Sequence, residues 1–251
     1  MLQLSNLVKS YSKGKIRAVD NLSLSVNKGE IFGFIGPNGA GKTTTLKMIA
    51  GILRPDSGKI AINGRDLKEE PLEARRQVGY VPDSSTIYER LTGMEYLRFI
   101  ADVYDVPEEK RKQALDKYLP MFALEKAVFD QIRSYSHGMR QKLMVTAALL
   151  HNPPLWLLDE PLTGLDPKSS HFLKQEMRAH CQEGKTVFFS THVLEVAEKL
   201  CDRIAIIHNG KILAVGNLDE LRNDPLLKES GDSSLESIFL TLTEKEDAPE
   251  E

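Results

Sequence analysis

The stretch IFGFIGPNGAGKTTTLKMIA, residues 31–50, decides the fold of this chain. Residues 31–35 are nearly all apolar and predict a buried strand, and residues 42–50 predict a helix that stops at Gly51. Between them GPNGAGKT, residues 36–43, matches the pattern G-x-x-x-x-G-K-[ST] in the strand–loop–helix context that the pattern requires. From average residue frequencies, such a match arises by chance in about 1% of chains of this length. We therefore expect a loop that cradles phosphate groups.

The residue types in this loop indicate how phosphate would be held. Glycines let the backbone curl so that successive N–H groups point at anionic oxygens, and the helix that begins near Gly41 adds its positive N-terminal end. Lys42 is expected to reach the β- and γ-phosphates of ATP, and the Thr43 hydroxyl is expected to ligate Mg²⁺. The alternative, a coincidental glycine turn, is disfavoured by the strand and helix on either side.

A second motif, LWLLDEP at residues 155–161, is an apolar strand that ends in two carboxylates. Side chains at the carboxyl end of such a strand face the crevice where ligands bind. Asp159 can hold Mg²⁺ opposite Thr43, and Glu160 can polarise an attacking water as a general base. Taken alone, the motif is better explained as an ordinary acidic turn before Pro161. Paired with the phosphate loop, it favours a nucleotide-hydrolysing site.

Further strands and helices place these motifs in an α/β domain with a mostly parallel sheet that helices cover. Residues 2–35 predict short strands separated by turns, and residues 84–150 predict a helical insert with few strand signals. The tail EKEDAPEE, residues 244–251, is acidic and is expected to be disordered. The remaining predicted strands are residues 22–26, 59–62, 78–81, 155–158, 186–190, 203–207 and 211–215, and the remaining helices are residues 168–182 and 193–200.

Composition narrows the class of protein. The chain has 251 residues and a net charge of −3, so it lacks the basic balance expected of a nucleic-acid-binding domain. Cys181 and Cys201 lie in no metal-binding pattern and indicate two partly buried thiols in a reducing compartment. The first residues resemble no signal peptide, and the densest apolar run, Leu143 to Leu150, is shorter than the roughly 20 residues that cross a bilayer. We expect a cytoplasmic protein.

Two other segments are ambiguous on their own. YSHGMRQKL, residues 135–143, opens a helix for which Ser136 is a suitable N-cap, and it is either a capped helix or an anion site for a γ-phosphate. His192 follows the strand TVFFS and is either a structural histidine or a contact to the γ-phosphate or the attacking water.

The order of the motifs along the chain carries more information than any one of them. GPNGAGKT, YSHGMRQ, LLDEP, GLDP (164–167) and STH (190–192) follow one another as in the nucleotide-binding subunit of the ATP-binding cassette (ABC) transporter family, which residues 2–222 resemble. The resemblance implies an ATPase with a P-loop NTPase fold: a mixed, mostly parallel sheet, an N-terminal antiparallel β subdomain and a helical insert. It places the ATPase domain at residues 1–222 and a C-terminal extension, with a short helix and the acidic tail, at residues 223–251.

The resemblance also implies a role for each matching position. Tyr11 would stack on adenine, and Ser136 and Gly138 would contact the ATP held by a second, head-to-tail subunit. Asp166 would lie across the seam of that dimer, and His192 would act in catalysis beside the second motif. The loop that would hold the phosphates comprises Gly36, Pro37, Asn38, Gly39, Ala40, Gly41, Lys42, Thr43 and Thr44.

Two positions depart from the family pattern. Asp83 stands where the family usually has glutamine. It can still reach Mg²⁺ through water, but it is shorter and anionic, which leaves its role in sensing a membrane partner open. The segment that usually reads Leu-Ser-Gly-Gly-Gln is here Tyr135-Ser136-His137-Gly138-Met139, which keeps the serine and one glycine.

Within the family, YSHGMRQK and SLESIFLTLTE (234–244) are similar to ATPase subunits of ABC-2-type systems, which are mostly exporters. The leading hypothesis is an ATPase subunit at the inner face of the cell membrane that powers a separate transmembrane permease, docked at the helical insert near residues 83–92. It would pair with a second ATPase subunit as a homodimer or a heterodimer. One alternative is a soluble ABC ATPase acting on ribosomes or nucleic acid, which the single cassette and the acidic balance disfavour. Another is a regulatory ATP-binding module without turnover, which Glu160 and His192 disfavour.

Overall fold

The computed structural model describes residues 1–83, 87–223 and 234–247. Its strands are β1 (Leu2–Tyr11), β2 (Ile16–Val26), β3 (Ile31–Ile35), β4 (Ser57–Ile62), β5 (Arg65–Asp66), β6 (Val78–Val81), β7 (Leu155–Asp159), β8 (Thr186–Thr191), β9 (Arg203–His208) and β10 (Lys211–Gly216). Its α-helices are α1 (Lys42–Ile49), α2 (Pro71–Arg76), α3 (Gly93–Val103), α4 (Glu108–Met121), α5 (His137–Leu149), α6 (Pro167–Gln182), α7 (Leu194–Leu200), α8 (Leu218–Arg222) and α9 (Leu235–Asp247).

Four strands near the N-terminus form an antiparallel sheet in the order β2-β1-β4-β5. β1 and β2 contain 10 and 11 residues, so they are longer than the short strands that the sequence predicts. Asn6 and Asn21 adopt left-handed φ angles of 49° and 52° at irregularities in the pairing. The ladder bends there and continues, because asparagine tolerates this conformation better than most residues do.

The second sheet has six strands in the order β10-β9-β3-β8-β7-β6. The pairs β9–β3, β3–β8, β8–β7 and β7–β6 are parallel, and β10 is antiparallel to β9 at one edge. This confirms the predicted mixed, mostly parallel sheet. Its two motif-bearing strands, β3 and β7, are separated by β8, and all residues of these three strands are buried.

Alternate residues of the parallel strands face two cores. On β7, Leu155 and Leu157 pack with α1 and the antiparallel sheet, whereas Trp156 and Leu158 pack with α5, α6 and the helical insert. A strand covered on both faces reads as a continuous apolar run, which is why LWLL shows no alternation. Cys181 and Cys201 are both free and partly buried. In the described ranges, no helix is both long enough and apolar enough to cross a membrane.

The predicted helical insert, residues 84–150, contains α3, α4 and α5. Between residues 87 and 136, the only strand-like pairing among described residues is a single bridge between Thr92 and Gln131. A capping box opens α3: Glu95 N donates to Thr92 Oγ1 at 3.2 Å, and Thr92 N donates to Glu95 Oε2 at 2.7 Å. Residues 84–86 of the predicted insert lie outside the described residues, and its extent of 84–150 stays a prediction.

The C-terminal helix α9 packs against the chain's own core. Leu235 and Ile238 are buried in a cluster that includes Ala197 of α7 and Leu221 of α8. The expectation of a disordered tail from residue 244 is wrong for residues 244–247, which continue α9. A salt bridge of 2.9 Å joins Glu246, in the last turn of this helix, to Lys211 of β10. Residues 224–233 and 248–251 of the predicted C-terminal extension lie outside the described residues.

Candidate functional site

The phosphate loop begins where β3 ends at Ile35, inside the parallel sheet. A Cβ atom on Gly36 would lie 2.3 Å from the carbonyl oxygen of Ile207, and one on Gly41 would lie 2.3 Å from that of Ala18. Gly41 also has φ +106°, a left-handed angle that residues with side chains rarely adopt. The loop therefore keeps this shape only with glycine at both positions.

The side chain of Lys42 places its ammonium group inside the phosphate loop. The residue is 6% exposed, and its Nζ donates to the carbonyl oxygens of Gly36 at 2.7 Å and Pro37 at 3.1 Å. Glu160 Oε1 lies 3.5 Å from the same nitrogen. The ammonium group thus lies between the phosphate loop and the second motif, where anionic oxygens of a ligand would meet it.

A cavity of about 170 Å³ adjoins the loop. It brings Asp83, which follows β6, and Glu160, which follows β7, to the same space as the loop. The two acidic residues come from the carboxyl ends of parallel strands, where ligands bind in sheets of this kind. The lining residues are Ala18, Pro37, Asn38, Gly39, Gly41, Lys42, Thr43, Thr44, Asp83 and Glu160.

Three of the residues predicted for the nucleotide site lie next to this cavity rather than in its lining. Tyr11, the last residue of β1, is 40% exposed, and its hydroxyl is 3.4 Å from Thr44 Oγ1. Gly36 supplies the carbonyl oxygen that holds the lysine, and the buried Ala40 accepts a hydrogen bond of 3.0 Å from Gly210 N. Gly36 and Ala40 therefore support the conformation of the loop from outside the cavity.

The carboxylate of Asp159 is held from the neighbouring strand. Asp159 pairs in register with Ser190 of β8, and Ser190 Oγ donates to Asp159 Oδ1 at 2.6 Å. The same hydroxyl accepts a hydrogen bond of 3.1 Å from Glu160 N. Burial raises the pKa of the Asp159 carboxyl, and the neighbouring hydroxyls of Ser190 and Thr43 oppose that effect. One serine therefore positions both residues of the acidic pair.

Glu160 adopts a strained backbone conformation that turns it toward the loop. Its φ is +48°, which is uncommon for a residue other than glycine and is often found at functional sites. Its carboxylate is 12% exposed, and Oε1 lies 3.0 Å from His192 Nδ1 and 3.5 Å from Lys42 Nζ. Val193 N donates to Thr191 Oγ1 at 3.0 Å, which fixes the turn that carries the histidine.

The oxygen atoms around the cavity suit a hard divalent cation. Asp159 Oδ2 and Glu160 Oε1 are buried, and Glu160 Oε1 lies at ion-pair distance from Lys42 Nζ and His192 Nδ1. Asp83 adds a second negative charge, which raises the pKa of Asp159 further, and Thr43 adds a hydroxyl. Mg²⁺ prefers carboxylate and hydroxyl oxygens of this kind. The residues predicted to bind Mg²⁺ therefore fit that ion.

The structure places Ser136, Gly138 and Asp166 outside the lining of the loop cavity. Ser136 is the N-cap of α5, and its Oγ accepts a hydrogen bond of 3.3 Å from Met139 N. Asp166 is the N-cap of α6 and accepts a hydrogen bond of 2.9 Å from Ser169 N. These residues form a second cluster of site residues, separate from the first.

Sequence reasoning missed two residues of these clusters. Ser190 lies in the quoted motif STH, but its role depends on the register of β8 against β7, which the sequence does not state. Lys142, whose Nζ lies 2.6 Å from Asp166 Oδ2, gave no signal in the sequence, because its partner is 24 positions away along the chain.

Known proteins are similar in sequence to this chain over most of its length. A family model described as "ABC transporter" matches residues 19–163. The chain is 38% identical over 251 residues to "ABC-type transporter ATP-binding protein EcsA" of Bacillus subtilis (strain 168), covering 100% of this chain and 99% of that protein. It is 37% identical over 221 residues to "Nod factor export ATP-binding protein I" of Cupriavidus metallidurans, covering 88% of this chain and 72% of that protein.

Solved structures share its fold. "Structure of ATP binding subunit of ABC transporter" aligns with a TM-score of 0.89 at 36% identity, over 96% of this chain and 99% of that one. "Dimeric structure of a post-hydrolysis state of the ATP-binding cassette MJ0796 bound to ADP and Pi" aligns with a TM-score of 0.78 at 28% identity, over 86% and 98%. Because the family model covers more than half of the chain and EcsA matches all of it, the chain belongs to the ABC transporter family, as one of its ATP-binding, ATP-hydrolysing subunits.

Proposed function

We propose that this subunit hydrolyses MgATP with Glu160 as general base, in a head-to-tail pair of ATPase chains, and powers export through a separate transmembrane permease. The position of Glu160 carries the proposal. Its Oε1 lies within 3.5 Å of both Lys42 Nζ and His192 Nδ1, at the edge of the phosphate-loop cavity. A carboxylate so placed can accept a proton from a water that attacks the γ-phosphate.

ATP would be bound by the loop and oriented by three further groups. Backbone N–H groups of residues 36–43 and the ammonium of Lys42 would contact the β- and γ-phosphates. Tyr11, which is 40% exposed beside Thr44, would offer its ring to adenine. Asp159, Thr43 and Asp83 would hold Mg²⁺, which when bound neutralises charge on the phosphate oxygens.

The hydrolytic step follows from the contacts of Glu160. The carboxylate takes a proton from water as the water oxygen forms its bond to the γ-phosphorus and the bond to ADP breaks. Lys42 offsets the charge on the transferring phosphoryl group. His192 Nδ1 faces Glu160 at 3.0 Å, so the ring orients the carboxylate and its second nitrogen can contact the γ-phosphate.

A second copy would complete the site. Ser136 and Gly138 lie at the N-terminus of the 13-residue helix α5, where backbone N–H groups and the helix dipole attract anions. Because these residues do not line the cavity of their own chain, we infer that they serve the ATP of a partner, with Asp166 at the seam. The related MJ0796 cassette forms a dimer in its ADP- and Pi-bound structure, which supports this arrangement.

The permease would dock on the helical insert. Tyr88 and Phe99 are 62% and 45% exposed, and their rings meet edge to face at a centroid distance of 5.9 Å. Val103, 53% exposed, lies further along α3. Such large apolar side chains on the surface suit a protein partner. Tyr88 lies within the predicted docking segment, residues 83–92, of which residues 84–86 lie outside the described residues. Docking would hold the subunit at the inner face of the membrane.

We propose export as the direction of transport because the chain is similar to ATPase subunits of exporters. The segments YSHGMRQK and SLESIFLTLTE are similar to ABC-2-type exporters, and the relative from Cupriavidus metallidurans is described as a Nod factor export protein. Recovery of the chain with a multi-span membrane protein after mild detergent solubilisation supports a transporter. Recovery with ribosomes or nucleic acid instead supports the competing soluble ABC ATPase.

Phosphate release tests the assignment of Glu160. Wild type, Glu160→Gln and the control Glu195→Gln, which changes a largely exposed carboxylate on α7, are assayed with MgATP. We expect Glu160→Gln to keep its ATP affinity and to lose hydrolysis by about a hundredfold or more, whereas the control keeps the wild-type rate. Equal rates in all three proteins would remove Glu160 from the mechanism.

A further inference from the structure

The start of helix α5 is packed onto the turn that follows Glu160. A Cβ atom on Gly138 would lie 2.6 Å from the carbonyl oxygen of Gly164, and one on Gly164 would lie 2.5 Å from Cδ2 of His137. Backbone and ring are therefore in close contact here. Ser136 is the N-cap of α5, and Asp166 follows the turn. The two segments that we place at the dimer interface therefore pack against each other within one chain.

A single ion pair locks this contact. Lys142 Nζ lies 2.6 Å from Asp166 Oδ2, and the lysine side chain is 14% exposed. Asp166 also accepts hydrogen bonds from Ser169 N at 2.9 Å and Ser169 Oγ at 2.7 Å. Lys142 and Ser169 together hold the pKa of Asp166 well below its usual range. The Asp166 side chain is 48% exposed, but three donors converge on its carboxylate, which restrains it more than a single exposed ion pair would.

The turn between Glu160 and Asp166 is short and internally bonded. Thr163 N donates to Glu160 O at 3.2 Å, and Leu165 N donates to Leu162 O at 3.3 Å. A short, internally bonded segment therefore links Asp166 to Glu160, whose φ of +48° is uncommon for a residue other than glycine.

We propose that Lys142 is a positioning residue for ATP hydrolysis: through Asp166 it fixes Ser136 and Glu160 at one relative position, so that each chain presents both to the two ATP molecules of the dimer. This rests on the proposed function, since it needs Ser136 to act on a partner's ATP. Lys142 itself lies outside the lining of the phosphate-loop cavity, and it acts by holding the other two in place.

The test combines ATP binding, hydrolysis and a double-mutant cycle. Lys142→Met keeps the apolar stem without the charge, Lys142→Arg keeps the charge, and Asp166→Asn keeps a helix N-cap without the charge. Lys199→Met is the matched control, because Lys199 pairs with Glu195 at 2.6 Å and is 73% exposed. Each protein is measured for nucleotide binding, kcat, KM and thermal midpoint.

We expect Lys142→Met and Asp166→Asn each to lower kcat by about tenfold to a hundredfold while ATP binding to the single chain changes by less than about twofold. The double variant should be no slower than the slower single variant, as for residues that act as a unit. Lys142→Arg should restore kcat to within about threefold of wild type, and Lys199→Met should match wild type.

Three outcomes overturn the inference. Wild-type kcat in Lys142→Met shows that the ion pair does not position the site. Equal losses in Lys142→Met and Lys142→Arg show that the charge at residue 142 does not position the site. Losses that multiply in the double variant show that Lys142 and Asp166 act separately. If the wild type itself hydrolyses no ATP, the proposed function is wrong. If the wild type is active and any outcome above is found, only this inference is wrong.

Discussion

Replacing Ser190 with alanine tests how the carboxylates of Asp159 and Glu160 are held. Ser190 and Asp159 are both 0% exposed, and the serine hydroxyl donates to Asp159 Oδ1 at 2.6 Å while it accepts from Glu160 N at 3.1 Å. A hydrogen bond to a charged group contributes about 1.5 to 3 kcal/mol, and leaving a buried N–H without an acceptor costs about 1 to 3 kcal/mol. We expect Ser190→Ala to reduce the free energy of unfolding by about 3 kcal/mol.

In a domain of this size, that loss corresponds to a thermal midpoint lower by about 6 to 12 °C. The effect should depend on pH, because the Ser190 hydroxyl favours the ionised form of Asp159. Removal of the hydroxyl raises the pKa of Asp159 further. The loss of stability relative to wild type is therefore larger above that pKa, where the carboxyl is ionised, and smaller in acid, where it is protonated.

Differential scanning calorimetry without nucleotide, at about pH 5 and about pH 8, measures both effects. Ser134→Ala is the control, since it removes a 2.7 Å hydrogen bond from an exposed serine hydroxyl to Gln131 O. We expect the control to change the midpoint by less than about 2 °C. A Ser190→Ala midpoint equal to that of the control, or a larger loss in acid than at alkaline pH, would refute this account of the acidic pair.

Three further predictions concern the loop and a buried histidine. Gly41→Ala should abolish nucleotide binding, because its Cβ meets a backbone oxygen at 2.3 Å. Gly39→Ala is strained by its φ of +84° but its Cβ has no atom within 4 Å, so it should weaken binding less; equilibrium binding of a fluorescent ATP analogue compares the two. Lys42→Met should weaken ATP binding at least about tenfold in the same assay, because the phosphates lose a charged partner. Burial lowers the pKa of His180 to about 4, so stability should fall as pH drops from about 6.5 toward 4, and less steeply in His180→Gln than in the control His171→Gln when acid unfolding is followed by circular dichroism.

The parts of the site that are continuous in sequence were predictable. Residues 31–50 form β3, the loop and α1, since a buried strand, a glycine-rich turn and a helix are each encoded locally. The placement of Glu160 at the end of β7 follows from the same logic, because an apolar run that stops at two carboxylates has one obvious end. The catalytic and binding roles of these residues stay predictions.

Contacts between distant segments were not predictable. That Ser190 faces Asp159 depends on the parallel register of β7 and β8, which no residue pattern states. The Lys142–Asp166 pair depends on how α5 packs onto a turn, and the Lys211–Glu246 pair depends on how α9 lies beside β10. Composition alone predicts that EKEDAPEE is a solvated tail, because composition contains no information about contacts with a distant strand.

The central claim is that one ATP is shared between the phosphate loop of one chain and Ser136 of another. Ser136→Asp tests it directly, because aspartate keeps the N-cap bond to Met139 N but places a negative charge where the γ-phosphate would lie. The molecular mass of Glu160→Gln, with and without this second change, is measured by light scattering in MgATP. We expect the single variant to double its mass and the double variant to remain a monomer that still binds ATP. A double variant that dimerises with ATP as readily as Glu160→Gln would contradict the account.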